Sequence, residues 1–382
     1  MKMISTKPIS QNNIENFHGR KSEIEIATDL LKNGSVCAVT GNPGIGKSSF
    51  LNFLKNELAK KYKIISFFLP STDITYFYRK LLSKLIELYQ DEIDNKILEK
   101  LQFTNEIETL TRLLLKGTNI GEIQEGKVYS FINSIVNSNL KKRKRVLSNY
   151  STKRYLKKFL KKTNEQIIVI IDDLDKIDDK NSLYNFFVEI KNLLDLNNMS
   201  FIFTLNNETI EEIEKEAINE DKMDKLFSIF EEIIYLEKFN INDLKEILTK
   251  EVKTPEKYFS NSSLRLLFSI SRGNPRILNY FSSKILRKAK LKNKLPADIN
   301  LIMDIFRNKL EIDNKSLNLI KYAAENKHID SNSKKLQKEI GLDSVSIMMR
   351  IKELIKMNFL VPFYVEEKKV YTLNYVKDSD IL

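Results

Sequence analysis

The sequence is poor in the residues that build cross-links. It has one cysteine, Cys37, and two histidines in 382 residues. No intrachain disulfide can form, and a Cys/His zinc cluster has too few ligands. Cys37 stands in a short apolar run and reads as a buried strand residue. No apolar run approaches the roughly 18 residues that cross a bilayer, and residues 1–11 lack the apolar stretch of a secretory leader. The expectation is a cytoplasmic chain without a membrane partner. With only 10 glycines there are no Gly/Ser-rich linkers, and no internal repeats are apparent.

What is present is a globular composition, 42% hydrophobic and 30% charged, in a chain long enough for two or three domains with separate cores. The formal charge of +12 maps largely to residues 141–162, which carry eleven Lys/Arg and no Asp/Glu, so that the remainder nets to near neutrality.

Hydrophobic periodicity gives the organisation. Residues 14–35 read as an entry segment and an amphipathic helix, with Gly34 as its stop. Runs at 36–40, 64–69, 167–171, 201–205 and 233–236 read as strands, and the segments between them as helices. The expected fold is α/β, a parallel sheet in three layers. Residues 1–240 form this core, with a helical insertion at about 71–165. A helical lid follows at 241–310, with helices at 241–252, 262–271, 275–290 and 297–310 and no strand expected between 240 and about 359. Residues 311–382 end in a helix, a Gly341-bearing turn, a second helix and strands at 360–365 and 369–373, the pattern of a winged-helix domain.

Gly41-Asn42-Pro43-Gly44-Ile45-Gly46-Lys47-Ser48 fits G-x-x-x-x-G-K-[ST], between a strand and a helix. Glycines let backbone N–H groups wrap phosphates, and the helix N-terminus adds a favourable dipole. Lys47 is expected at the β/γ-phosphates, Ser48 on Mg2+, and Ser49 beside the loop. A chain this long meets the pattern by chance on the order of one time in a hundred. The run 167–171 ends in Asp172 and Asp173, two carboxylates at the tip of a buried strand. Asp172 is expected in the shell of Mg2+, with Asp173 polarising the attacking water. Asp175 reads as the opening of a loop. At the end of the next strand a polar residue, Asn206 with Thr204 as the alternative, is placed to orient that water; taken alone, Asn206-Asn207 reads equally well as a turn. Gly273-Asn274-Pro275-Arg276 starts a lid helix with Pro in its first turn, which aims Arg276 at the nucleotide. Lys141, Lys142, Arg143, Lys144 and Arg145, with the later cations and interleaved aromatics, suit a phosphate backbone; the plainer account is the solvated face of a helix. In the winged helix, Ser344, Ser346, Arg350 and Lys352 are expected toward a major groove, and Lys368 and Lys369 near phosphates.

These motifs come in the order found in AAA+ and STAND ATPases, and residues 14–310 resemble that superfamily. Phe17-His18-Gly19-Arg20 resembles the entry segment of archaeal initiator-type and STAND ATPases, which implies that His18 and Arg20 line an adenine pocket. Asp172-Asp173-Leu174-Asp175 is similar to the acidic strand of KAP and STAND NTPases. The resemblance implies ATP and Mg2+ as ligands and assembly into a homo-oligomer on ATP binding. No Arg lies between Arg154 and Arg265 to serve as the finger of AAA+ rings, leaving Lys222 or Lys225 as substitutes. An Asp base and a missing finger suit slow hydrolysis. Two functions follow: a nucleotide-dependent DNA-binding switch, or a STAND-type signalling or phage-defence ATPase whose C-terminal domain takes a protein effector.

Overall fold

The computed structural model describes residues 4–88, 165–177, 179–194, 198–211, 229–307, 312–365 and 368–374. Lys141, Lys142, Arg143, Lys144 and Arg145, the cations that follow them to 162, and Lys222 and Lys225 lie outside the described residues.

Five strands form the main sheet: β1 Val36–Thr40, β2 Lys63–Phe68, β3 Ile167–Asp172, β4 Met199–Thr204 and β5 Glu232–Tyr235. Their order is β2-β3-β4-β1-β5, so β4 stands between β1 and β3. β2, β3 and β4 pair in parallel, with Phe68 opposite Asp172 and Ile171 opposite Phe203. Residues 167–171 are all buried, which is why a continuous β-branched run stands where an exposed sheet would alternate. This is the P-loop NTPase fold, a parallel five-stranded sheet flanked by helices.

The chain divides into two compact units. One comprises Ile26–Ala38 and Glu57–Ile233. Its core joins the sheet to α3 (Ile74–Leu88) and α4 (Lys180–Leu194) through aromatic packing. Phe77 meets Phe186 edge-on at 5.3 Å, and Phe187 meets Phe203 at 5.2 Å, a geometry that adds to the apolar burial. Cys37 is fully buried in β1, and burial pushes its thiol up, so it is an inert strand residue.

The other unit comprises Met1–Glu25, Val39–Asn56 and Ile234–Leu382. It carries the glycine loop and most of α2 (Lys47–Leu58). The lid helices are α5 (Ile241–Val252), α6 (Asn261–Ser271), α7 (Pro275–Leu291) and α8 (Ile299–Arg307). Each lid helix from α5 to α7 starts on a side-chain cap, Asn240, Ser260 and Asn274 in turn. The remaining elements are α9 (Asn314–Asn326), β6 (His328–Ile329), α10 (Lys334–Ile340), α11 (Ser344–Lys356), β7 (Leu360–Val365) and β8 (Lys368–Leu373). The last three strands form a second sheet, β6-β8-β7. β6 corrects the expectation of no strand between 240 and 359. It is two residues long, too short for any period, and exists by pairing His328 and Ile329 with Thr372 and Tyr371. Among the described residues no helix is long and apolar enough to cross a membrane.

Candidate functional site

The glycine loop turns out of β1 at Thr40. Ile45 is buried and pins the middle of the loop, while its N–H donates to Asn42 O at 3.1 Å. Gly44 and Gly46 hold φ of +83° and +110°, which a side chain would strain. A Cβ at Gly46 would meet nothing within 4 Å, so the loop is open beside this glycine. That space, next to Lys47 and Ser48 at the first turn of α2, fits a phosphate. Lys47 is buried and its Nζ donates to Gly41 O at 2.7 Å. Asn42 and Pro43 are exposed and Ser48 is half-buried. Ser49, expected beside the loop, accepts the Ile9 N–H at 3.0 Å, and Asn52 donates to Ile9 O at 2.8 Å. Its hydroxyl ties down the N-terminal segment.

The lid reaches this loop through one turn. Asn274 caps α7 by accepting the N–H groups of Arg276 and Ile277, and its Nδ2 donates to Pro43 O at 2.8 Å. A Cβ at Gly44 would stand 2.9 Å from Asn274 Oδ1 and 3.1 Å from Arg276 Cβ. Arg276 is exposed, with its Cβ beside Gly44 of the loop. Gly273 O accepts from Phe239 N–H at 3.0 Å. Arg272, one residue earlier, donates to Met357 O at 2.7 Å and stacks on Phe359 at 4.8 Å. The sequence reading missed Arg272, and it quoted Asn274 in the Gly-Asn-Pro-Arg motif without its bond to the loop. Both partners are backbone carbonyls far along the chain, which leave no local signal.

His18 and Arg20 belong to the same unit. His18 Nε2 lies 3.3 Å from Asp243 Oδ1 on α5. The Arg20 guanidinium sits 4.0 Å above Phe239, pairs with Glu23 at 3.0 Å and donates to Glu237 O. Phe17 stacks on Phe53 at 4.4 Å. Burial raises the Glu23 carboxyl, but hydrogen bonds from its own backbone, Arg20 and Ser22 outweigh it and hold the group below the usual carboxylate range. These contacts fix the entry segment against α2, α5 and the exit of β5.

In the other unit, Asp172, Asp173 and Asp175 bring three carboxylates together, with one ligand atom from each within 4.8 Å of the others. Hard oxygen donors of this kind suit Mg2+. Asp173 adopts a left-handed backbone, φ 73°. Its N–H donates to Asp172 Oδ1 and to Thr204 Oγ1, both at 2.9 Å. Thr204 in turn donates to Asp172 Oδ1 at 2.9 Å. The Asp173 carboxylate pairs with Lys176 at 2.7 Å, which raises the lysine's pKa. Asn206 faces elsewhere: it donates to Asp175 O at 3.2 Å and accepts Thr209 N–H at 2.6 Å.

In the C-terminal elements, Asp343 caps α11 by accepting from Ser346 N–H at 2.7 Å, and Lys352 is exposed. Arg350 pairs with Asp313, the cap of α9, at 2.7 Å. Val345 and Met349 on the outer face of α11 are 68% and 64% exposed, and Tyr364 on β7 is 64% exposed. Lys368 and Lys369 are exposed.

No curated protein matches the chain. Among solved structures it is similar to the Aeropyrum pernix ORC1 protein in complex with DNA, with 10% identity over 97% of this chain and 93% of that one and a TM-score of 0.45. A Walker-type ATPase of Pyrococcus abyssi shares 16% identity over 98% and 97% of the two chains, TM-score 0.41. The Thermotoga maritima RuvB Holliday junction branch migration motor shares 12% over 95% and 92%, TM-score 0.40. Residues 22–261 match the KAP family P-loop domain.

Proposed function

From the premise that the chain belongs to the KAP family of P-loop domain proteins, we propose that it binds ATP with Mg2+, hydrolyses it slowly, and uses the bound nucleotide to set a DNA-binding C-terminal domain. In this reading the loop 41–48 takes the phosphates and Lys47 exchanges its bond to Gly41 O for the β/γ-phosphates. Ser48 and Asp172 would each offer an oxygen to Mg2+, which would supply shielding of phosphate charge. Asp173 polarises the attacking water. Thr204, bonded to both acidic residues, takes the positioning role in preference to Asn206, whose side chain caps the next helical turn. His18 and Arg20 stand near the base, and Arg276 reports the γ-phosphate. Slow turnover fits the pairing of Asp173 with Lys176.

The observation that carries the reading is the turn 272–276. Within three residues it bonds the phosphate-binding loop through Asn274 and the C-terminal elements through Arg272. A change in the loop therefore has a short mechanical route to α11 and β7. The order α9-β6-α10-α11-β7-β8 supports a winged helix, with α11 as its recognition helix and β7-β8 as its wing. Ser346 and Lys352 are offered on α11, while Arg350 is held by Asp313.

The test is anisotropy of a labelled DNA duplex with ATP, ADP or no nucleotide at two salt concentrations, with Lys47→Ala as control. Salt-sensitive binding that depends on ATP and is lost in the variant is the expected result. ATP binding without DNA affinity would favour the second reading, a signalling ATPase whose C-terminal domain binds a protein. That reading draws on the apolar exposure of Val345, Met349 and Tyr364.

A further inference from the structure

Residues 257–297 hold ten Lys/Arg and no Asp/Glu. The near neutrality of the chain outside 141–162 is thus an average over segments of opposite sign. The structure shows where these charges go. Helix α7 buries Leu278, Ser282, Ile285, Leu286 and Ala289 in the lid. Its other face and the turn beyond it expose Lys284, Arg287, Lys290, Lys292 and Lys294. The Lys284 ammonium lies 5.7 Å from the ring of the exposed Tyr280. Lys288, at the edge of the stripe, approaches Asp304 only at 4.0 Å.

Cations at a helix C-terminus ordinarily complement the helix dipole. That accounts for the last turn of α7, where Lys288 and Lys290 sit. It does not account for Lys284 further in, or for Lys294 beyond the cap Lys292. A solvated helix face usually interleaves acids at i,i+4, and like charges at that spacing oppose folding. A stripe retained against that tendency points to a polyanion outside the protein. The apolar face of α7 is already buried in the lid, and Leu291 and Leu295 are the exposed apolar side chains at its end. A helix lying in a lipid interface needs an apolar face along its length, so charge complementarity favours a nucleic-acid backbone.

We propose that the outer face of α7 and the turn 292–294 form a sequence-independent contact for the phosphate backbone of double-stranded DNA, an inference that rests on the DNA-binding reading above but on different residues. The lid then holds the duplex while α11 reads or orients it.

The experiment uses the full chain and compares a random DNA duplex across a salt series for the wild type and Lys290→Ala/Lys292→Ala/Lys294→Ala. Each lost phosphate contact removes about 0.9 from the slope of log K against log salt. The triple variant is therefore expected to bind more weakly, with a slope shallower by about 2.7, and with unchanged ATP affinity. Lys292→Gln/Lys294→Gln, at the helix cap and beyond it, adds no negative charge at the helix C-terminus and is expected to make the slope shallower by about 1.8 should the triple variant fold poorly. A wild type that binds duplex while the variants keep its slope overturns this inference and leaves the DNA reading standing. A wild type with no duplex affinity at about 50 mM salt, where such contacts are strong, overturns both. Loss of binding to phosphatidylserine vesicles in the variants, with duplex binding intact, assigns the stripe to membranes and overturns it too.

Discussion

Thr204 acts through two other residues. Its hydroxyl donates to Asp172 and accepts the N–H of Asp173, whose left-handed backbone exposes that N–H. Replacing it with Val takes one hydrogen bond from each group and leaves them only the bond between Asp173 N–H and Asp172 Oδ1, at a cost of about 1.5–3 kcal/mol for a bond to a charged group. Thr204→Val is expected to slow ATP hydrolysis about ten- to a hundredfold with ATP affinity nearly unchanged, and Thr204→Ser to restore the rate. A single-turnover assay beside a binding titration separates the two effects. Equal loss of rate in both variants would remove the hydroxyl from the argument. The sequence offered Asn206 first and Thr204 as the alternative, both polar residues at the end of a buried strand. The ladder ends at Thr204, and Asn206 serves the following helix as its cap. Periodicity has no term for where a ladder stops. Lys47 and Ser48, by contrast, were legible because the loop's chemistry is local, eight consecutive residues between a strand and a helix.

At the scale of elements, α9 and α11 are joined by the pair of Asp313 and Arg350. Asp313 also accepts from Ser316 Oγ and from the N–H groups of Lys315 and Ser316. Burial pushes the Asp313 carboxyl up, yet the Ser316 hydrogen bonds and Arg350 outweigh it and hold it below the usual range. A carboxylate depressed in the folded state contributes stability above its unfolded pKa and loses it as pH falls through the folded value. The C-terminal elements are thus expected to keep their melting temperature from neutral pH down to about 5 and to weaken below about 4. The pair is half exposed, so its share is at most about 1 kcal/mol. Asp313→Asn should flatten that acid fall, as followed by thermal melts; an unchanged fall would assign it to other carboxylates. The boundaries of α5, α7, α11, β7 and β8 followed from hydrophobic period and capping residues, which are local signals. β6 and the Asp313–Arg350 pair are set by partners some forty residues away, beyond any window of periodicity. The cations of the lid escaped notice because summed charge cancels across segments.

At the scale of the whole molecule, the turn 272–276 binds the loop at Pro43 and the C-terminal elements at Met357 and Phe359. Arg272→Ala removes the second attachment and leaves Asn274 and Arg276 in place. It is expected to leave ATP binding intact while the effect of ATP on DNA affinity shrinks toward none, as seen by comparing duplex titrations with and without nucleotide. A variant that retains the full ATP effect would locate the route elsewhere.

The same turn makes the two ligands reciprocal. If ATP alters affinity for the occupant of α11 by some factor, that occupant must alter ATP affinity by the same factor, commonly about 5- to 150-fold. Whatever docks on the C-terminal elements is then an effector of the phosphate-binding loop, and its presence can be read from the nucleotide side without labelling it. A cell holding a fixed ATP concentration would see that occupant, rather than the nucleotide, decide how many copies are charged.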